Sequence, residues 1–159
     1  TEVMDRLKAL AERAAQEDII LLHENEKEIY GDTPERCLDI VETVNSPNLR
    51  VTWDPANFVQ VGVKEPHTAG YEMLRPYIEY VHVKDALFES GQNVPAGEGH
   101  GQIPETIKAL RDSNFSGFFS LEPHLRAAGT YSGFSGPDLF KKAAQAFKKI
   151  LEEANIAWQ

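Results

Sequence analysis

Four apolar segments with the length and composition of β-strands alternate along the chain with amphipathic segments of helical spacing. This alternation constrains the fold more than any other feature, because strands joined by helices form right-handed crossovers in a parallel sheet. The strand segments are mostly apolar, as expected for a covered sheet. The predicted strands are residues 18–25, 49–55, 80–86 and 117–123, and the predicted helices are residues 2–16, 32–45, 68–78, 104–114 and 136–154. The chain is therefore predicted to be an α/β protein.

The size and charge of the chain limit the partners it can have. Its 159 residues can bury one sizeable core, and no linker points to a second domain. The net charge of −9 argues against a nucleic-acid or anionic-membrane surface, since both attract basic proteins. No apolar run is long enough to span a membrane. The single cysteine, Cys37, shares a helical spacing with apolar residues and is predicted to lie in the core, which fits a cytoplasmic protein.

Each predicted strand ends close to a side chain that can bind a metal ion: Glu24, Asp54, His82 and Glu122. In a parallel α/β protein the carboxyl ends of the strands lie together, so residues far apart in sequence can converge there. Three carboxylates and one imidazole suit a divalent cation. Taken singly, a strand-end aspartate can be a helix cap and a histidine in a strand can be a hydrogen-bonded core residue. The residues alone therefore leave open both a metal site and these structural roles.

Five segments in fixed order resemble the xylose isomerase-like superfamily of sugar phosphate isomerases and epimerases: LLHEN, WDPANF, YVHVKDA, PAGEGHGQI and SLEPH. The resemblance implies a TIM barrel, of which residues 1–159 would be the C-terminal half with strands five to eight. It also implies that the quartet Glu24, Asp54, His82 and Glu122 binds one divalent metal ion. Because oxygen ligands dominate the quartet, Mn²⁺ is the first expectation, with Mg²⁺, Co²⁺ or Zn²⁺ as alternatives.

The resemblance further implies chemistry beside a carbonyl group. Glu24 and Glu122 are similar to the family's acid/base pair, which moves a proton on a sugar, sugar phosphate or related polyol through an enediolate. The implied activity is that of an isomerase or epimerase with a small carbohydrate substrate. A metal-dependent dehydratase on the same scaffold is the alternative, and a non-catalytic fragment or inactive relative is a third.

Four further residues are candidates for substrate contacts: Asn57, Lys84, Glu98 and His124. Ketose epimerases of this superfamily often carry a histidine where this chain has Asn57 and an arginine where it has Phe88, so their substrate contacts do not transfer directly. Strand alternation places Lys84 on the same face as His82. For Lys84 and for the following Asp85, an ion-paired or capping role is as good an interpretation as a substrate contact.

A half barrel predicts an exposed sheet. A complete eight-stranded barrel takes about 250 residues, and only four strands are readable here. The outer strands, residues 18–25 and 117–123, would lack neighbours, and apolar edges of this kind favour pairing with another chain. We therefore expect a homo-oligomer formed through these strand edges, with a two-fold dimer of eight strands as one route. We also expect little or no catalysis from the isolated chain.

Overall fold

The computed structural model describes residues 2–125 and 136–158 and confirms the predicted α/β fold. Its strands are β1 (Leu21–Glu24), β2 (Leu49–Trp53), β3 (Ile78–Val83), β4 (Asp85–Ala86), β5 (Asn93–Val94) and β6 (Phe118–Leu121). Its α-helices are α1 (Glu2–Ala15), α2 (Pro34–Val44), α3 (Pro55–Gln60), α4 (Glu72–Leu74), α5 (Ile103–Asp112) and α6 (Gly136–Glu153). Within the described ranges, no helix combines the length and the apolar character needed to cross a membrane.

The main sheet has four strands in the order β1-β2-β3-β6, and every neighbouring pair is parallel. The pairing of β2 with β3 shifts register between Val51 and Thr52, whereas the other two pairings are regular. The short strands β4 and β5 form a separate antiparallel pair, in which β4 is the end of the predicted strand 80–86 and β5 lies in the glycine-rich segment that follows it. All four long strands therefore end on the same side of the molecule.

Two parts of the chain differ from the sequence prediction. Helix α3 was not predicted, because the proline after Asp54 looked like a strand terminator. That proline instead occupies the first helical position, and Asp54 caps the helix by accepting a hydrogen bond from the Asn57 N–H. The predicted helix at residues 68–78 is a composite of a π-helical turn (His67–Tyr71), α4 and a 3₁₀ turn (Arg75–Tyr77). Pro76 lies in the last of these turns.

The core lies between the helices and one face of the sheet. Trp53 is fully buried and makes edge-on ring contacts with Phe58 and Tyr71. A second cluster joins the end of β3 to α5 and α6, where Val83 packs with Ile107 and other apolar residues. Side chains at odd-numbered positions near the ends of the four long strands thus point toward the helices, which leaves the even-numbered positions for the opposite face.

The opposite face of the sheet is open at its two outer strands. Leu22 on β1 is 41% exposed and Phe118 on β6 is 73% exposed, whereas Trp53 on the helix face is fully buried. Large apolar side chains with this exposure lie where the interior of a closed barrel would be. The contrast between the two faces indicates a surface that is suited to further contacts.

Candidate metal centre

The four predicted ligands lie together at the carboxyl ends of the parallel strands. Glu24 is the last residue of β1, Asp54 follows β2, His82 lies next to the end of β3, and Glu122 follows β6. One ligand atom from each residue lies within 4.8 Å of the ligand atoms of the other three. The sheet order brings together residues that are up to 98 positions apart along the chain. Their role as metal ligands stays a prediction.

His82 stands at the centre of the group and faces all three carboxylates with the same ring nitrogen. Its Nδ1 lies 3.0 Å from Glu24 Oε1, 3.5 Å from Glu122 Oε2 and 3.6 Å from Asp54 Oδ2. Contacts with Asp54 and Glu24 raise the pKa of His82 to about 10, although burial acts against this. Without a bound cation the imidazole therefore carries a proton at neutral pH, and this charge offsets part of the carboxylate charge.

Lys84 provides a second cationic group, and it is more deeply buried than His82. Only 2% of its side chain is exposed, and its Nζ lies 3.0 Å from Glu122 Oε2 and 3.3 Å from Asp54 Oδ2. Burial would lower the pKa of Lys84, but the charges of Asp54 and Glu122 outweigh burial and raise it. The predicted alternation is confirmed, because Lys84 and His82 meet the same carboxylates while Val83 packs against the helices.

The three carboxylates differ in their access to solvent. Asp54 is fully buried, while the side chains of Glu24 and Glu122 are each 32% exposed. Burial raises the pKa of Asp54, and its contacts with His82 and Lys84 act against this shift. The hydrogen bond with His82 lowers the pKa of Glu24. The central carboxylate is therefore enclosed, and the two outer ones remain within reach of a molecule in solution.

Two buried asparagines hold the carboxylates in place, and the sequence interpretation gave neither of them this role. Asn25 is fully buried; its side-chain amide donates to the Asp54 carbonyl at 2.8 Å and accepts from the Asp54 N–H at 2.9 Å. These two hydrogen bonds hold Asn25, the residue after β1, against Asp54, the residue after β2. The sequence feature that could have indicated this role is the position of Asn25 directly after the predicted ligand Glu24.

Asn57 is fully buried and contacts three members of the cluster. Its side-chain amide donates to Glu24 Oε1 at 3.2 Å and accepts from Lys84 Nζ at 3.0 Å. Its backbone N–H donates to Asp54 Oδ1 at 2.9 Å. These contacts suit a positioning role better than the substrate contact that the sequence suggested, because the amide already has partners and no free surface.

We expect Asn25→Ala to lower the free energy of unfolding by about 2–3 kcal/mol. The substitution leaves the buried N–H of Asp54 without a partner and leaves its carbonyl with only a long 3.5 Å bond from the Phe58 N–H, and an unsatisfied buried group costs about 1–3 kcal/mol. Urea denaturation followed by tryptophan fluorescence measures the change. The matched control is Asn48→Ala, because the Asn48 amide also donates to a backbone carbonyl but does so at the surface. Equal losses in the two variants would contradict the assigned role of Asn25.

The remaining candidates lie nearer the surface. His124 Nε2 is 3.7 Å from Glu122 Oε1, and the residue has a positive φ of 43°. Glu98 is exposed in the loop that follows β5. Phe88 packs beside α3 and the β4 strand, so the position where related ketose epimerases carry arginine is apolar here. The structure brings His124 to the quartet and places Glu98 in the loop between β5 and α5.

The residues fit a divalent cation. Asp54 Oδ2 is buried and makes no hydrogen bond, although two cationic groups lie within 3.6 Å of it. An unsatisfied buried carboxylate oxygen is unusual unless an ion or another group completes its contacts. Ligands of a small divalent cation lie about 2.0–2.2 Å from it, so ligand atoms are about 3–4.4 Å apart around one ion. The observed spacing needs only a small contraction to reach that range.

One known protein family matches most of the chain. The family described as Xylose isomerase-like TIM barrel matches residues 1–150. The match includes all four members of the metal quartet. It therefore agrees with the resemblance carried by the five ordered sequence segments.

Individual relatives include enzymes of two reaction types. A 3-dehydroshikimate dehydratase from Bacillus anthracis is 26% identical over 98% of this chain and 56% of its own length. A 2-epi-5-epi-valiolone 7-phosphate 2-epimerase from Actinoplanes sp. is 32% identical over 50% of this chain and 29% of its own length. A solved D-tagatose 3-epimerase-like protein superposes with a TM-score of 0.75 at 25% identity, covering 96% of this chain and 54% of that one. The chain thus spans about half the length, or less, of these relatives.

Proposed function

Because this chain belongs to the xylose isomerase-like TIM barrel family, we propose that it carries the metal and acid/base residues of an isomerase or epimerase. The proposed substrate is a sugar, a sugar phosphate or a related polyol with a carbonyl group. The observation that carries the proposal is the pair of accessible glutamates, Glu24 and Glu122, on either side of a fully buried aspartate. A cytoplasmic location, supported by the single buried cysteine, belongs to the same proposal.

The quartet would hold one divalent cation, with Mn²⁺ as the first expectation and Mg²⁺, Co²⁺ or Zn²⁺ as alternatives. Such an ion supplies Lewis-acid polarisation of a carbonyl oxygen when it is bound. Asp54 suits the role of a ligand alone, since its enclosed carboxylate cannot reach a substrate. Lys84 neutralises one carboxylate charge, so three carboxylates, one lysine and one divalent ion together have no net charge.

Glu24 and Glu122 are the proposed proton carriers. One would remove a proton from the carbon beside the carbonyl group, and the other would return a proton to a neighbouring carbon or to the opposite face of the same carbon. They come from β1 and β6, the outer strands of the sheet, so a substrate at the centre would lie between them. His82 and Asn57 orient Glu24 through hydrogen bonds of 3.0 and 3.2 Å, and Lys84 orients Glu122 through one of 3.0 Å.

A dehydratase is the second candidate, and the similarity of almost the whole chain to the Bacillus anthracis enzyme supports it. Elimination of water begins with removal of a proton beside a carbonyl, so the same base would serve both reactions. The reactions differ in their second step, because an epimerase returns the proton and a dehydratase releases a hydroxyl group as water. Liquid chromatography with mass spectrometry on ketoses, inososes and cyclic keto acids, with Mn²⁺ added, separates an isomer of unchanged mass and new retention time from a product that is lighter by one water.

The open sheet face leads to a prediction about assembly. We expect two copies to associate so that β6 of each pairs with β1 of the other, since a two-fold axis along the barrel keeps all eight strands parallel. Light scattering should then give about twice the chain mass of 17.8 kDa. Phe118→Asp should shift the protein to a monomer by placing a charge among the buried side chains of the joined sheets.

Phe140→Asp is the matched control for assembly, because Phe140 is a 48% exposed phenylalanine that lies on α6 and on no strand of the sheet. It should leave the dimer intact. A wild-type protein that remains a monomer up to high concentration would show that two copies do not close the sheet. A dimer that is dissociated equally by both substitutions would place the contact elsewhere.

A further inference from the structure

Asp85 lies immediately after Lys84 and binds a loop rather than a cation. Asp85 is 1% exposed, and its carboxylate accepts four backbone N–H bonds, from Ala86, Gly97, Gly99 and Gly101. The bonds are 2.8–3.0 Å long, and each carboxylate oxygen accepts two of them. Among residues 2–125 and 136–158 no lysine, arginine or histidine forms an ion pair with this carboxylate, and the four backbone N–H dipoles stabilise its charge.

Two of the glycines are required by their distance from this carboxylate. A Cβ at Gly99 would overlap Asp85 Oδ1 and the Ala86 carbonyl, and a Cβ at Gly101 would lie 2.8 Å from Oδ1. Neither glycine has the positive φ that would explain its presence by backbone conformation. The glycines at 99 and 101 are therefore explained by the close approach of their N–H groups to one buried anion, whereas Gly97 is explained by its positive φ of 86°.

The clamped loop is attached to the elements that carry the metal quartet. The His100 N–H donates to the Ala86 carbonyl at 2.8 Å, which holds the loop to the chain that leaves β3. At Gly101 the loop touches Pro55, the first residue of α3, since a Cβ there would lie only 3.0 Å from the Pro55 Cβ. Pro55 directly follows Asp54, and Lys84 directly precedes Asp85. The Asp85 carboxylate thus links the segment that contains Lys84, through the loop, to the segment that contains Asp54.

We propose that Asp85 is a positioning residue whose buried carboxylate locks the glycine loop against the start of α3 and so fixes Asp54, Asn57 and Lys84 in the metal centre. The expected effect of Asp85 on metal binding rests on the function proposed above. Its effect on the position of the backbone does not. Asp85 touches neither the predicted metal position nor the proton carriers, so it acts through the backbone. For Asp85, the sequence favoured neither a capping or ion-paired role nor a substrate contact. Its four bonds to backbone N–H groups favour the capping role.

Asp85→Asn provides the sharpest test. Asparagine keeps the shape but replaces one acceptor oxygen by an NH₂ group, so two of the four N–H donors lose their partner in either orientation of the amide. We expect hydrogen exchange to become at least about tenfold faster at the loop glycines and at the Asn57 N–H, which donates to Asp54 Oδ1. We also expect about tenfold weaker Mn²⁺ binding, as is typical when residues that orient ligands are lost.

Rescue by an added carboxylate distinguishes the proposed role from a general loss of stability. In Asp85→Gly, sodium formate supplies both acceptor oxygens and should slow exchange at Gly97, Gly99 and Asn57, whereas sodium chloride at equal ionic strength should not. Glu42→Gln, which removes one acidic charge at an exposed position on α2, should change none of these amides. The amide of Ile150 in α6 is the internal reference for global unfolding.

Each outcome decides the proposal. Faster exchange at the glycines together with Asn57, reversed by formate, supports it, and faster exchange at the glycines alone overturns it by making Asp85 a local loop anchor. Unchanged exchange throughout also overturns it. If Asp85→Asn fails to fold, Gly99→Ala applies the test from the loop side, because the atoms nearest to its methyl group belong to Asp85 and Ala86 and not to α3. Failure of the wild-type chain to bind Mn²⁺ would count against the metal centre, and exchange at Asn57 would still decide the positioning role.

Discussion

Asp54→Asn is expected to weaken Mn²⁺ binding by about 100-fold or more, equivalent to about 2.7 kcal/mol of binding free energy. The reason lies in the two oxygens of Asp54. Oδ1 already accepts the Asn57 N–H as the cap of α3, and Oδ2 is the buried atom without a hydrogen bond. Asparagine can keep the cap through its carbonyl oxygen, but it removes the negative charge and places an NH₂ group where a cation ligand is needed. Isothermal titration with Mn²⁺ measures the loss.

Two neighbouring variants give this test its controls. His82→Ala removes a predicted ligand and should also weaken binding strongly, whereas Lys84→Met removes a cation that lies 3.3 Å from Asp54 Oδ2 and no ligand. Lys84→Met should therefore leave the affinity within about tenfold of wild type or increase it. Wild-type affinity in Asp54→Asn, or a greater loss in Lys84→Met than in His82→Ala, would contradict the proposed quartet.

The convergence of the quartet could be predicted because it follows from topology. Once alternating helices and strands imply a parallel sheet, the carboxyl ends of the strands must share one side, and any ligand placed there has neighbours. The apolar alternation around His82 also placed Lys84 correctly on the same face. Pattern and topology thus determine which residues meet, and they do so without knowledge of individual contacts.

The supporting contacts could not be predicted in the same way. The pairing of Asn25 with the Asp54 backbone and the binding of four N–H groups by Asp85 depend on distances between segments that have no periodic signal. Helix α3 was missed for a related reason, since Pro55 is compatible with both a strand end and a first helical turn. The choice between them depends on whether Asp54 caps the helix, and only the folded chain shows that contact.

Glu24→Gln and Glu122→Gln are each expected to slow turnover by about 1,000-fold, the middle of the range for general acid/base catalysis. Glutamine keeps the length of the side chain and one oxygen that can bind a cation, but it cannot accept or return a proton at neutral pH. Both glutamates are 32% exposed, and each is held by partners that an amide can retain in part. Metal affinity should therefore fall much less than turnover.

Exchange of the substrate's acidic hydrogen with deuterium from solvent, followed by NMR with Mn²⁺ at saturation, isolates the proton-transfer step from product release. The assay requires the protein in the form that turns over a substrate from the panel of ketoses, inososes and keto acids. Glu42→Gln is the matched control, because it makes the same chemical change on the exposed side of α2 and should retain full activity. If one glutamate is the base and the other returns the proton, one variant should abolish exchange, while the other should still exchange hydrogen without forming product. Turnover at the wild-type rate in both variants would remove the two glutamates from the acid/base role and leave them as ligands alone.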